Sequence, residues 1–234
     1  MTIQAETLNR ELDVHAGEMF LVHKPIGWSS FDVVNKMRAI FHCERIGHAG
    51  TLDQNATGLL IVCTGRKTKM LAGFQELDKE YDVTMRLGER TESYDSETPV
   101  IERHDTGHLT EHSLRCVCQR FVGVHSQLPP MWSAAKVAGR RLYKYARKGE
   151  EVERRLRVVE VKSLVVRTMV LPDAQFTVTC SKGTYIRTLV NDIGNALGTG
   201  AHVTALQRTR IGEFSLANAL TIDDLIRIRN VHRN

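Results

Sequence analysis

From Glu80 to Leu87 the chain alternates without a break: Tyr81, Val83, Met85 and Leu87 are apolar or aromatic, and Glu80, Asp82, Thr84 and Arg86 separate them. A period of two sends successive side chains to opposite faces, so this stretch predicts a strand with one buried face and sets Tyr81 on it. Phe176 to Cys180 repeats the pattern. Further strands are predicted at Met19 to His23, ended by the turn-like Lys24-Pro25-Ile26-Gly27, and at Leu59 to Thr64, an apolar run suited to a buried strand. Helical spacing appears elsewhere. Ser30 is placed as an N-cap, with Asp32 in the first turn and Phe31, Val34, Met37 and Phe41 following to roughly His42. Tyr185, Leu189, Ile193 and Leu197 mark a second helix stopped by Gly198, and Thr221 with Asp224 forms a capping box for a terminal one. Strands and helices alternate irregularly, and sequential strands are too close for every connection to be a helical crossover. The fold class is therefore α+β, a mixed and mostly antiparallel central sheet flanked by helices.

A chain of 234 residues can bury a sizeable core. Lys plus Arg exceed Asp plus Glu by 32 to 27, a modest surplus that suits a polyanionic partner without requiring one. The opening 1–17 is polar, has no apolar core of a signal peptide and reads as a loose extension. The longest apolar run, Leu59 to Cys63, is too short to cross a bilayer, so no membrane role is expected and the setting is cytoplasmic. Five cysteines without paired spacing fit reduced thiols. Cys116 and Cys118, with His112 and His125 nearby, suggest zinc only weakly, since no second cysteine pair completes a ligand set.

Between Phe121 and Arg157 the character changes. Lys136, Arg140, Arg141, Lys144, Arg147, Lys148, Arg154, Arg155 and Arg157 crowd together, with Trp132, Tyr143 and Tyr145 among them. Basic side chains neutralise phosphates and aromatic rings stack on exposed bases. A solvated helix face with Glu150, Glu151 and Glu153 as local partners explains the same composition. Both readings stand on composition alone.

The loop Gly47 to Gly58 holds three glycines, one imidazole (His48) and one carboxylate (Asp53). It lacks the spacing of a phosphate-binding loop, and an aspartate in a loop is by default a turn residue bonded to its own backbone. Arg187 is the second unusual residue. It falls in the first turn of a helix, where the macrodipole disfavours a cation, so a nearby anion or outward solvation must offset the cost. If Asp53 is that anion, the pair keeps a desolvated carboxylate ionised and fit to act as nucleophile or base; a structural salt bridge would look the same.

These residues fall into a recognisable series. His48-Ala-Gly-Thr-Leu-Asp53, Ala56-Thr-Gly58, Lys24-Pro25-Ile-Gly-Trp-Ser-Ser30, Lys79-Glu-Tyr81, Leu87-Gly88, Gln127-Leu-Pro-Pro130, Ser133-Ala-Ala-Lys136 and Cys180-Ser-Lys-Gly-Thr-Tyr185-Ile-Arg187 resemble, in order, the motifs of the TruB family of tRNA pseudouridine synthases. The likeness runs from about Met19 to Phe214. It implies the pseudouridine synthase fold over 18–234, with a basic RNA-gripping insertion at about 124–157. It implies conversion of the T-loop uridine at tRNA position 55 to pseudouridine, by base flipping and without metal or organic cofactor. Asp53 would be the catalytic aspartate, Tyr81 would stack on the target uracil and Arg187 would pair with Asp53. Tyr185 and Leu206 would line the base pocket, His48 would fill the space the flipped base leaves, and Lys24 with Pro25 would support the loop. Lys136, Arg140 and Arg141 would grip the RNA. The expected partner is the T-arm stem-loop of tRNA, with no obligate protein partner.

Three departures bear on this. Gln54 stands where a proline commonly follows the catalytic Asp, so a less rigid loop is expected. Glu92-Ser-Tyr-Asp95 varies an acidic stretch but keeps Asp95. The chain ends soon after the last motif, so a form lacking a small C-terminal RNA-binding domain of the PUA type, with a weaker hold on the acceptor side, is expected. Two alternatives share the basic surface: a tRNA-binding folding helper, which would not need Asp53, and the same chemistry on another T-arm-like hairpin.

Overall fold

The computed structural model describes residues 2–3 and 12–231. In chain order its elements begin with β1 (Thr2–Ile3), β2 (Met19–Lys24), α1 (Ser30–Phe41), β3 (Ile46–Ala49), β4 (Ala56–Thr64), α2 (Leu71–Glu76), β5 (Lys79–Leu87), β6 (Glu89–Thr91) and β7 (Val100–Arg103). Next come α3 (Glu111–Gln119), β8 (Gly123–Gln127), β9 (Lys136–Val137), β10 (Arg140–Arg141), α4 (Tyr143–Ala146) and β11 (Arg157–Val170). The last are β12 (Asp173–Cys180), α5 (Ile186–Ala196), β13 (Ala201–Ile211), β14 (Phe214–Ser215) and α6 (Ile222–Val231). The α+β class expected from the sequence is the one the chain adopts. β2 and β3 run antiparallel to β4, and β8 and β12 antiparallel to β11, while β1 lies parallel to β2. The chain divides into two compact units, Met1–Tyr81 with Gln207–Asn234 and Asp82–Leu206, whose boundaries fall inside β5 and β13.

In the first unit the strand order is β1-β2-β4-β13, with β3 also on β4 and β14 on β13. β2 and β4 are buried on both faces. Phe20, Val22, Leu60 and Val62 pack with Val33, Met37 and Ile40 of α1 and Leu225 and Ile228 of α6. Met19, Leu21, Leu59, Ile61 and Cys63 pack on the other side with Leu71 and Phe74 of α2. Two-sided burial is why Leu59 to Cys63 is an unbroken apolar run and not an alternating one. Of the extension 1–17, residues 1 and 4–11 lie outside the described residues; Thr2 and Ile3 pair with Met19 and Phe20, and Val14 is buried.

Two local expectations shift. The N-cap of α1 is Ser29, not Ser30: Ser29 Oγ accepts from Asp32 N–H at 3.1 Å, and Asp32 accepts from Ser29 N–H at 2.8 Å. The aspartate at the third helical position closes a reciprocal box only with the residue three before it. The loop 47–58 is also shorter than expected. Ile46–Ala49 pairs with β4 as a strand, Ile46 opposite Thr64, Gly47 opposite Cys63, His48 opposite Val62 and Ala49 opposite Ile61. Because β4 already begins at Ala56, the loop proper is 50–55.

In the second unit the order is β13-β5-β12-β11-β8. Val83, Met85 and Leu87 are buried while Asp82 is exposed, as the alternation predicts. Phe176, Val178 and Cys180 are buried on β12, and α5 buries Leu189, Val190 and Ile193. The outward-facing Val158, Val165 and Val170 of β11 stay exposed, so this part of the sheet keeps a solvated face.

Candidate functional site

The loop 50–55 of the first unit is tied down at several points. Ala56 N–H donates to the Asp53 main-chain carbonyl at 3.1 Å, closing a turn that does not use the carboxylate. Ser30, freed from capping, is buried and accepts from Leu52 N–H at 2.9 Å. Gln54 is held twice: its carbonyl accepts from Gly27 N–H at 3.0 Å, and its side-chain amide donates to the Gly27 carbonyl at 3.0 Å. The residue expected to loosen the loop thus bonds it to the Pro25-Ile26-Gly27 turn. Asp53 itself is half-buried.

Lys24, at the end of β2, is fully buried and donates to the carbonyls of Pro25 (3.1 Å) and Trp28 (2.6 Å). Burial is the main force pulling its ammonium down to about 8; the Asp53 carboxylate pulls it up, Arg208 pulls it down and Asp32 pulls it up. Lys24 and Asp53 therefore belong to one electrostatic neighbourhood. His48, on β3, has a buried Nδ1 with no hydrogen-bond partner among the described residues. Burial first, then the Arg208 charge, hold its imidazole below the usual range, against the Gly50 main chain. Tyr81 is buried on β5.

The buried lysine makes a stability prediction. Its pKa is about 8 in the folded protein against 10.5 ordinarily, so the unfolded chain binds more protons between those values and stability rises with pH there. Relative to Lys24→Met, the wild type should gain up to about 3 kcal/mol as pH climbs from 8 to 10.5. Urea unfolding of both proteins across that range checks it; a constant difference would refute it.

In the second unit, Tyr185 is the N-cap of α5, and its main chain is gripped by the buried Gln127, which accepts from Tyr185 N–H at 2.7 Å and donates to its carbonyl at 3.0 Å. Arg187, buried in the first turn, donates to the carbonyls of Ser93 and Trp132, each at 2.8 Å. Its Nε lies 3.6 Å from Oδ2 of the buried Asp95. The anion demanded by a cation at a helix N-terminus is thus supplied within this unit by Asp95, a partner that sequence spacing does not reveal. Leu206 is half-buried on β13.

Apart from the four residues of α4 the basic segment is not a helix face, but local partners expected for one are present: Glu150 lies 3.5 Å from Arg140 and 4.0 Å from Lys148, and Glu151 3.4 Å from Arg154. β9 and β10 form a small hairpin, Lys136 opposite Arg141 and Val137 opposite Arg140, turning through Ala138 and Gly139, both at positive φ. The guanidinium of Arg140 lies 4.3 Å from the Tyr145 ring centroid and donates to the Lys144 carbonyl at 2.8 Å; Arg147 lies 5.3 Å from the Tyr143 ring. These tyrosines are covered by their own arginines. Lys136 and Arg141 are exposed, and no carboxylate pairs with either among the described residues. The two thiols weighed for zinc point apart: Cys116 is exposed with its Sγ 3.5 Å from His112 Nε2, while Cys118 turns into the core, where burial pushes its thiol up to about 12. Among the described residues no helix is long and apolar enough to cross a membrane.

Comparison with known proteins gives the arrangement a family. Residues 38–186 match the model of the TruB family pseudouridylate synthase (N terminal domain), and 187–234 that of the tRNA pseudouridylate synthase B C-terminal domain. The chain belongs to the TruB family. A protein of Chlorobium chlorochromatii (strain CaD3) named tRNA pseudouridine synthase B is 47% identical over 223 residues, covering 93% of this chain and 87% of that protein. One of the same name from Parabacteroides distasonis is 46% identical over 224 residues, covering 92% and 95%. Among solved structures, a chain in a Cbf5-Nop10-Gar1 complex superposes with a TM-score of 0.71 at 30% identity over 92% of this chain. A chain of an H/ACA RNP bound to a substrate RNA containing 2'-deoxyuridine gives 0.69 at 28% identity, also over 92%. This TruB-family chain spans about half the length of those two chains, 54% and 53%.

Proposed function

We propose that the protein isomerises the T-loop uridine at position 55 of tRNA to pseudouridine. The observation that carries this is the Asp53 loop: a half-buried carboxylate on a short, multiply anchored turn beside a buried lysine, in a chain of the TruB family. The names of its relatives support tRNA as the substrate. In the reaction the bond from ribose C1′ to uracil N1 breaks, the base turns, a bond from C1′ to C5 forms, the hydrogen on C5 leaves as a proton, and N1 takes up a proton. Asp53, Tyr81 and Arg187 carry this chemistry. Tyr185 and Leu206 contact the base, and His48, with its unpartnered Nδ1, occupies the space the base vacates. Flipping the base out of its stack costs a few kcal/mol. Among the described residues no cysteine is joined in a disulfide, which accords with a cytoplasmic setting.

The test uses T-arm hairpin RNA labelled at uracil C5. Release of label at enzyme-dependent rates is the expected result, and no release above background at high enzyme concentration would overturn the proposal. Lys136, Arg140 and Arg141 contact RNA phosphates in this reading. Binding should therefore weaken steeply with salt, and Lys136→Gln with Arg141→Gln should flatten the plot of log K against log salt by about 2. An unchanged slope in filter binding would remove these two residues from the interface.

A further inference from the structure

Arg208 is among the largest fully buried side chains of the protein, at 1% exposure. It lies on β13 next to β4, in the first unit. Its Nε donates to the Leu59 carbonyl at 2.7 Å and its Nη2 to the Gly50 carbonyl at 3.1 Å. Gly50 is the first residue of the loop that carries Asp53, and Leu59 lies just beyond its return into β4. One guanidinium therefore ties the first residue of the loop to β4, four residues past the loop's other end. The approach is close: a Cβ on Gly58 would stand 2.6 Å from Arg208 N, and one on Gly50 3.5 Å from its Nη1.

Two carbonyls need donors, not a charge. A buried charge is ordinarily paired, yet no carboxylate forms an ion pair with Arg208 among the described residues. A neutral amide would tie the same carbonyls without burying a cation. The charge acts on the groups around the loop: it lowers both Lys24 on β2 and His48 on β3. The other titratable groups coupled to these two are Asp53 of the loop, Asp32 of α1 and His23 of β2.

We propose that Arg208 is a positioning residue for the reaction, tying the start of the Asp53 loop to β4 and placing a fixed positive charge beside it. This deepens the proposed function and rests on it. Such a charge needs no reorganisation when negative charge shifts during reaction.

The experiment compares wild type, Arg208→Gln and Arg208→Lys with T-arm hairpin RNA, alongside NMR titration of the His48 imidazole. Gln keeps a donor and loses the charge; Lys keeps the charge and loses the fork. Arg208→Gln should lower kcat about a hundredfold with KM changed less than about threefold, and Arg208→Lys should recover much of the loss. The His48 titration should move up in Arg208→Gln and stay near wild type in Arg208→Lys. A folded Arg208→Gln with wild-type kcat, a loss carried by KM, or an unmoved His48 titration would overturn the proposal. If Arg208→Gln does not fold, Arg208→Lys decides: near-native turnover and titration support the role of the charge, and failure to fold as well makes Arg208 a core residue only. A wild type that forms no pseudouridine overturns the proposed function instead, and the His48 titration then decides the positioning role by itself.

Discussion

Asp53→Asn should release no label from uracil C5, a loss of at least about a thousandfold in turnover, while still binding T-arm RNA and folding normally. Asparagine matches aspartate in size but carries no charge, and the loop anchors named above do not use the carboxylate. The turn closes through the Asp53 carbonyl, Leu52 is held by Ser30, and Gln54 is held by Gly27. Measured together, turnover, RNA binding and thermal unfolding of this variant separate chemistry from architecture. It also removes the upward pull on Lys24, whose ammonium should fall below its wild-type value of about 8. Turnover assay, RNA binding and thermal unfolding on one preparation check the three parts. Full turnover in the variant would refute the assignment of Asp53, and lost binding with lost turnover would make it a residue of the fold or the interface.

Gly58→Ala should destabilise the protein by about 4 kcal/mol or more, combining backbone strain with overpacking. Gly58 sits at φ +108°, where an L side chain is strained. Its added methyl would also meet the Arg208 main chain, which cannot swing aside as a side chain can. Gly27→Ala is the internal comparison. It has positive φ (79°) as well, but nothing lies within 4 Å of its Cβ. It should lose only the strain part, on the order of 1 kcal/mol. Urea unfolding of the pair reads the packing contribution as the difference, and equal losses would show that the close approach of Gly58 to Arg208 carries no weight.

What the sequence reveals and what it hides divide along physical lines. Strand β5 is legible because its alternation is local, and β4 because two-sided burial leaves an unbroken apolar run. The capping box at Thr221 and Asp224 is legible for the same reason: both partners lie within one turn. Strand β3 is not, since Ile-Gly-His-Ala has no strand pattern and gains its conformation by pairing with β4. Arg208 is hidden more deeply. In Gln-Arg-Thr-Arg it looks like any solvated basic stretch, and only the close passage of β13 by the glycine at 58 buries it. Arg187 is flagged by its awkward place in a helix, but the carboxylate found in its unit, Asp95, is remote in sequence. The motifs point to Asp53; the anchors Ser30, Gln54 and Arg208 come only from the fold.

The two-sided burial of β4 has a further consequence for how the work of recognition is divided. A short turn strung from an interior strand has little slack, so it cannot mould itself around an RNA. Deformation then falls on the nucleic acid. Hairpins whose T-loop is already loosened should react faster than tightly folded ones, because less stacking has to be undone before the uridine reaches the carboxylate.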